Sequence, residues 1–419
     1  MKSLGCLLVG LALMASTMSC LKSNISNITG TGFIWVATQG NQQVNAFTIN
    51  RSSGAVSQVG NGQPTGVQPS AMAVTPDGKT LFIANTSDNT ISSYTVNSDG
   101  SLTANKSSTP TLSQGPSGCN GNCVSMGLGP VAMSVDPAGK FLFVAEQGQP
   151  SNANTPGGVS VFAISGASLT AAGPACPAGF SLSTCPFAMT DPVTGFSTGP
   201  SAVVAAPTGN FLYVANTLAN TVQEFSYDPT GLLTSVGSVG TGTNPSSLAF
   251  SRCAGVSSGT LNCAAADANT LFVANAGSNT LSTFAACIQV SSSCATPNGS
   301  LVQTSGSPIG AEVSPVSVIV DPAANFIFAV NSRSNTISQY RYSPATGTLS
   351  PLTPPSLATG FSPFGGGVTS DGTYVVVSNN NGSSISVYAV TSTGPTGRLA
   401  LGPTPTVTLA GQPSAIIVR

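Results

Sequence analysis

One phrase recurs along this chain often enough to set its architecture before anything else is considered. In its most regular copy, Pro69 to Val96, it reads PSAMAVTPDGKTLFIANTSDNTISSYTV: a strand, a Pro-Asp-Gly turn, a second strand, a polar turn and a third strand. The second strand returns seven times, ending at Thr38, Asn85, Glu146, Asn216, Asn275, Asn331 and Asn379, at spacings of 47, 61, 70, 59, 56 and 48 residues. The shortest spacings suit a bare four-stranded unit, and the longer ones must hold inserted loops. Each copy is an almost unbroken apolar run, as expected of a strand buried on both faces.

The third strand repeats in register and presents one aromatic each time, at Phe47, Tyr94, Phe162, Phe225, Phe284, Tyr340 and Tyr388. One residue type at one position of every unit is expected of a stacked core. The first strand also occurs seven times, from Pro69, Gly129, Pro200, Pro245, Pro315 and Pro363 and finally over 413–418. The second strand near Trp35 has no first strand before it, while the last first strand has no second strand after it. The two ends complete one another. The expected fold is therefore an all-β seven-bladed β-propeller of four-stranded antiparallel blades over 31–419, its ring closed by strand 413–418 within the first blade, which protects the edges an open array would expose.

Turn chemistry agrees with this reading. Thr75-Pro76-Asp77-Gly78, Asp136-Pro137-Ala138-Gly139 and Ser370-Asp371-Gly372 join first to second strands, with Pro presetting φ and Gly accepting positive φ. Asn89, Asn220, Asn279 and Asn335 lead into third strands, where Asn tolerates the left-handed region. The carboxylates repeated in these turns read as caps.

Only 5% of the 419 residues are charged, and the formal net charge is −1. A typical soluble domain carries about 25%, so hydroxyls and amides must solvate this surface. There is no cluster of cations to bind nucleic acid or an anionic bilayer. Residues 1–19 carry Lys2 and a short apolar run from Leu4 to Ala15, the pattern of an export signal rather than a spanning helix. Cys20 then falls where a bacterial lipoprotein would be lipidated, with 20–30 as a tether. This predicts a periplasmic or cell-surface protein, an outer-membrane lipoprotein touching the membrane only through that lipid.

Eight further cysteines form four local couples: Cys119 with Cys123, Cys176 with Cys185, Cys253 with Cys263, and Cys287 with Cys294. Each couple sits alone in one loop, so pairing with the neighbour is expected in an oxidising compartment. Metal binding is the rival reading, and with no histidine in the chain neither metal nor cofactor is expected.

The phrase Leu-Phe-Val-Ala-Asn, a few polar residues, then Asn-Thr-Ile-Ser-x-Tyr resembles the YVTN-type repeat. Over about 31–419 the chain is similar to the seven-bladed propeller lactonase family that includes bacterial 6-phosphogluconolactonase. That resemblance implies hydrolysis of a cyclic ester by groups drawn from His, Glu and Arg over the central channel. The His is absent here. Ten Lys and Arg after residue 19 are few for a phosphosugar, and export argues against a cytoplasmic substrate.

Connections entering first strands and those joining second to third strands share one face, where departures from the repeat are the informative residues. Glu146 replaces the usual Asn and opens an enlarged loop beginning at Gln147; Arg333 lies in the equivalent turn of the sixth blade and Glu312 just before that blade's first strand. The spacing places these three, with Gln147, Asp88, Asp191 and the Cys119–Cys123 and Cys176–Cys185 inserts, on the ligand face, and the other two cysteine loops on the opposite face. Two functions follow. The favoured one is a noncatalytic, monomeric scaffold that binds a small molecule, a glycan or an envelope protein through these loops. The alternative is a divergent lactonase with Glu146 or Glu312 as base and Arg333 in support.

Overall fold

The computed structural model describes residues 30–105, 123–125, 129–148, 157–172, 187–189, 197–251, 256–257, 260–261, 269–291, 294–391 and 398–419. It is a seven-bladed propeller. Blades 4, 6 and 7 are plain four-stranded meanders, blade 6 for example running Pro315–Val320, Phe326–Asn331, Thr336–Ser343 and Thr348–Ala358 from the channel outward. Blade 1 is built from both ends of the sequence: Thr31–Gln39 pairs antiparallel with Gln412–Val418, setting Trp35 opposite Ile417 and Ala37 opposite Ala415. The closing strand matches the sequence expectation with one residue more.

Six of the seven second strands are buried along their whole length, as in Thr80–Asn85, Phe141–Glu146 and Tyr374–Asn379, and that of blade 1 along all but its two end residues. Alternate side chains face opposite neighbours. In blade 2, Leu81 and Ile83 pack against Phe33 and Trp35 of blade 1, while Phe82 and Ala84 pack against Leu142 and Val144 of blade 3. The hydrophobic core is accordingly seven clusters, one at each interface between adjacent blades. Each fully buried Leu, Ile or Phe in them contributes roughly 1.5–3 kcal/mol of transfer free energy, so no blade has a core of its own.

The aromatic of the third strand is buried in every blade. Where it is tyrosine it also ties blades together: Tyr94, Tyr340 and Tyr388 donate to the carbonyls of Pro64, Gly310 and Ala358 on the outer strand of the preceding blade, at 2.6, 2.8 and 2.5 Å. Burial pushes Tyr340 and Tyr388 up to about 12, so these hydroxyls remain donors at any pH the protein meets.

Blade 1 carries two further links at its lower edge, where first strands end. Arg51 sits 3.8 Å from Asp371 and donates to Ser370 at 2.6 Å, both in blade 7. On the other side Arg419 donates to the Thr75 and Pro76 carbonyls of blade 2 at 3.2 and 2.6 Å. Burial raises the Asp371 carboxyl, but hydroxyl bonds from Thr369 and Thr373, the Thr373 N–H and the Arg51 charge outweigh it and hold the group below its ordinary range.

The long insertions fall differently from the sequence reading. In blade 2 the outer edge is made of two pieces, Leu102–Ala104 and Cys123–Ser125, and in blade 3 of Ser168–Ala171 and Phe187–Ala188, each pair lying along one third strand. The inserts with Cys119 and with Cys176 and Cys185 therefore interrupt the outermost strands. In each blade the pairing along the third strand resumes after the interruption, whereas the sequence places these inserts in connections of the ligand face. Cys287 and Cys294 are joined in the loop between the third and outer strands of blade 5, on the lower face as expected. Cys123 lies on a described strand; Cys20, Cys119, Cys176, Cys185, Cys253 and Cys263 lie outside the described residues.

Two expectations follow. Tyr388→Phe should cost about 1 kcal/mol in chemical denaturation, the net worth of one hydrogen bond; an unchanged midpoint would show that the inter-blade bond contributes nothing. Arg51→Ala should cost under about 1 kcal/mol at pH 7, since the pair is partly exposed. The depressed Asp371 contributes stability above its unfolded value of about 3.9 and loses it as pH falls through the folded value. The difference from wild type should therefore shrink at pH 3, and a difference growing in acid would contradict the assignment.

Candidate functional site

Second-to-third-strand turns and the loops leading into first strands meet on the upper face, and asparagine builds both. Asn89, Asn220, Asn279 and Asn335 have φ of 52°, 56°, 57° and 56°. In that conformation each side-chain oxygen reaches the next blade and accepts from the backbone N–H of Gly129, Asn244, Ser314 and Ser362, at 2.8, 2.8, 2.8 and 2.7 Å. The repeated Asn-Thr of the sequence is thus a blade-to-blade clasp as well as a turn former.

The Asn ending each second strand is structural too. Asn85, Asn275, Asn331 and Asn379 are fully buried, and each amide donates to two hydroxyls of its own third strand, for example Asn331 to Thr336 and Ser338. Glu146 takes this position in blade 3. It is 1% exposed, and the Ser160 hydroxyl, the counterpart of Ser338, donates to its carboxylate at 2.5 Å. Its side chain is built into the sheet. Gln147 beside it is exposed, and its carbonyl accepts from Ser197. Asp88 is half-buried and accepts from the Val67 N–H, capping the loop that leads into blade 2. Asp191 lies outside the described residues.

Glu312 and Arg333 come together. Arg333 is exposed in the second-to-third-strand turn of blade 6, and its backbone N–H donates to the Val313 carbonyl at 3.2 Å, so its turn rests on the loop that carries Glu312. Glu312 is half-buried and accepts from Ser356 at 3.2 Å. Glu146, in blade 3, stands three blades away around the ring, so two of the three candidates lie on touching loops and the third does not.

The charges divide sharply between the faces. Among the described residues Arg333 is the only cation on the upper face, because Arg51, Lys79, Lys140, Arg341, Arg398 and Arg419 all stand at or near lower turns. The lower carboxylates are caps, as the turn sequences suggested: Asp136 accepts from three backbone N–H groups of its own hairpin, and Asp321 from those of Asn325 and Phe326 in its own.

The sequence reading passed over three residues. Glu224, in the third strand of blade 4, is buried and accepts from the Leu301 N–H of blade 5 at 2.9 Å; burial raises its carboxyl above the ordinary range despite that bond. It is a carboxylate between blades, away from either face. Phe361 and Phe364, on the loop and first strand entering blade 7, are 71% and 47% exposed, and they are the only exposed aromatic side chains among the described residues. Lining up the seven first strands would have flagged Phe364, which follows the initial proline where Ser70, Ser201, Ser246 and Ser414 follow theirs.

Two cavities exist away from these loops. One, of about 700 Å³, is the lower half of the central channel, walled by Val204, Leu248, Phe250, Ile319 and Ile416, with no titratable side chain in its lining. The other, of about 720 Å³, lies beside the Cys287–Cys294 loop between blades 5 and 6 and is lined by small and amide residues. Neither has an acid or a base in its lining.

The sequence profile of the family described as lactonase, 7-bladed beta-propeller, matches residues 22–126 and 196–360, more than half of the chain. The chain belongs to that lactonase family. Solved structures with the same fold include the periplasmic gluconolactonase PpgL of Pseudomonas aeruginosa, at 20% identity and TM-score 0.67 over 93% of this chain and 99% of that one. A candidate 6-phosphogluconolactonase of Bacteroides fragilis is 17% identical, with TM-score 0.68 over 94% and 99%. A Lactobacillus plantarum protein is 16% identical, with TM-score 0.67 over 93% and 99%. No curated protein matches this lactonase-family chain in sequence.

The clasp that holds the blade 7 lead-in loop is separable from the fold. Asn335→Gly keeps the positive φ and removes the side chain whose oxygen makes the clasp. Amide exchange at Ser362 should accelerate roughly tenfold or more while Ser314, held by Asn279, stays protected. Equal protection at both sites in the variant would show that Asn335 does not order the loop.

Proposed function

We propose that this protein is an exported lactonase that opens a cyclic ester at the blade 6 corner of its upper face, with Glu312 as general base and Arg333 as electrophilic support. Membership of the lactonase family supports a hydrolase over the noncatalytic scaffold that the sparse charge and missing histidine favour. The observation that carries the assignment of residues is the backbone bond from Arg333 to Val313, which puts the residue that bears a guanidinium and the residue that bears a carboxylate on touching loops of the upper face.

The chemistry asked of them is modest. The Glu312 carboxylate takes a proton from water as the water oxygen attacks the lactone carbonyl carbon, and the charge developing on the carbonyl oxygen is met by Arg333 N–H donors. When the tetrahedral intermediate collapses, the ring C–O bond breaks and the proton on Glu312 passes to the departing alkoxide. The product is the open-chain hydroxy acid, which ionises. Water is the only co-reactant.

Export and a lipid on Cys20 belong to the same proposal. The apolar stretch in 4–15 supports it, as does the Cys287–Cys294 disulfide, a bond that persists in oxidising compartments.

Purified protein should hydrolyse glucono-δ-lactone faster than the buffer does. Glu312→Gln should cut kcat about 10²-fold or more, and Arg333→Ala about 10²–10³-fold, with melting temperatures near wild type. Glu146→Gln should leave the rate unchanged if the protein still folds, since glutamine preserves the acceptor for Ser160. Wild-type protein without activity on any lactone would return the scaffold reading.

A further inference from the structure

Phe364 stands at a position that three other blades use to bind the next blade, while blades 3 and 6 carry Val131 and Val316 there. In blades 2 to 7 the pairing of first and second strands slips at this point, leaving one residue unpaired after the leading proline. At Ser70, Ser201 and Ser246 that residue's hydroxyl donates to the leading proline carbonyl of the next blade, at Pro130, Pro245 and Pro315, at 2.9, 2.7 and 2.8 Å. In blade 7 the corresponding carbonyl, Pro413, is taken by the Asn380 amide at 2.8 Å, and the unpaired position carries Phe364 instead. The ring is therefore sealed without it. Phe361, three residues earlier, is exposed on the same loop, and the N–H of the intervening Ser362 is held by Asn335, two residues after Arg333. Arg333, Glu312, Phe361 and Phe364 thus stand on three linked loops.

We propose that Phe364, with Phe361 beside it, forms the wall of the lactone site and selects a ring substrate that carries no phosphate, an unphosphorylated aldonolactone. This inference rests on the proposed lactonase reading. An aromatic face fits the C–H face of a sugar ring, and the segment that carries both aromatics is clasped through Ser362 and Asn335 to the turn that carries Arg333. A phosphate would want several cations, as two negative charges must be neutralised. Among the described residues the upper face offers only Arg333, which the reaction already uses for the carbonyl oxygen. A phosphorylated lactone would have to share that one cation between two groups. Phe364 is then a specificity-determining residue and Glu312 the catalytic one.

The test pairs Phe364→Ser with wild type, serine being the residue that four other blades hold at this position, so the backbone accepts it. Glucono-δ-lactone and 6-phosphoglucono-δ-lactone are compared as substrates, and the non-hydrolysable gluconolactam is titrated calorimetrically. Wild type should prefer the unphosphorylated lactone by about tenfold or more in kcat/KM. Phe364→Ser should raise KM for it and weaken the lactam by roughly 5- to 10-fold, the scale of an aromatic contact, with kcat and melting temperature held. Preference for the phosphorylated lactone, or lactam affinity and KM unmoved by Phe364→Ser, would overturn the inference while leaving Glu312-dependent hydrolysis intact. Lactam binding that depends on Phe364 in a protein with no hydrolytic activity would support the wall and overturn the lactonase reading.

Discussion

Everything in this structure depends on the second strand of each blade being buried on both of its faces. A strand reading Leu-Phe-Ile-Ala-Asn has no side to offer water, so each blade needs a neighbour in both directions, and a row of such blades is satisfied only when it returns on itself. The pairing of Thr31–Gln39 with Gln412–Val418 is how the return is made. It joins the two ends of the chain within one sheet, so the interfaces of blade 1 with blades 7 and 2 form only when the last residues are in place. Arg51 and Arg419 reinforce these two interfaces from the lower edge. In a chain with so few charges, cations are spent where the ring has to be shut.

That constraint also decides where chemistry can occur. Apolar packing between blades consumes the second and third strands, and the lower turns consume carboxylates as caps. The channel wall is apolar, and in blade 7 it is bare backbone because the neighbouring strands converge on it: a Cβ on Gly366 would meet Ile319 Cδ1 at 2.5 Å, and one on Gly367 would meet Val418 at 2.9 Å. What remains free to vary is the upper loops. These are positioned firmly despite being loops, since an asparagine from one blade holds the lead-in loop of the next. A site built there has a rigid second layer even though none of its reacting groups lies on a strand.

Most of the fold was legible because it rests on repetition, and repetition needs no tertiary knowledge to be seen. The site was harder to read for a physical reason shown by Glu146. In sequence it is the outstanding deviation from the motif, a carboxylate where Asn is the rule. In the structure it does the work of the Asn it replaces, accepting from Ser160 where the others donate to the equivalent hydroxyl. A departure in residue type was compatible with no departure in role, because an oxygen can receive the bond that an amide would give. The positions of the inserts in blades 2 and 3 were hidden for a related reason: their outer strands are two and three or four residues long and carry no pattern of their own.

Phe364 is the converse case. Phenylalanine is common in this chain, and within a first strand it reads as one more core residue. Only the comparison of equivalent positions gives it meaning, since four of its six siblings are serine and three of those are bound into the ring. Its exposure has a cost, because an aromatic ring left in water forfeits the transfer free energy that every other described aromatic side chain here apart from Phe361 gains by burial or partial burial. Nothing in the closure of the ring needs that ring in place, as Asn380 already satisfies Pro413. A side chain that the fold does not require, two residues from a backbone N–H clasped to the turn of Arg333, the one upper-face cation among the described residues, is best explained by something outside the fold that comes to rest on it.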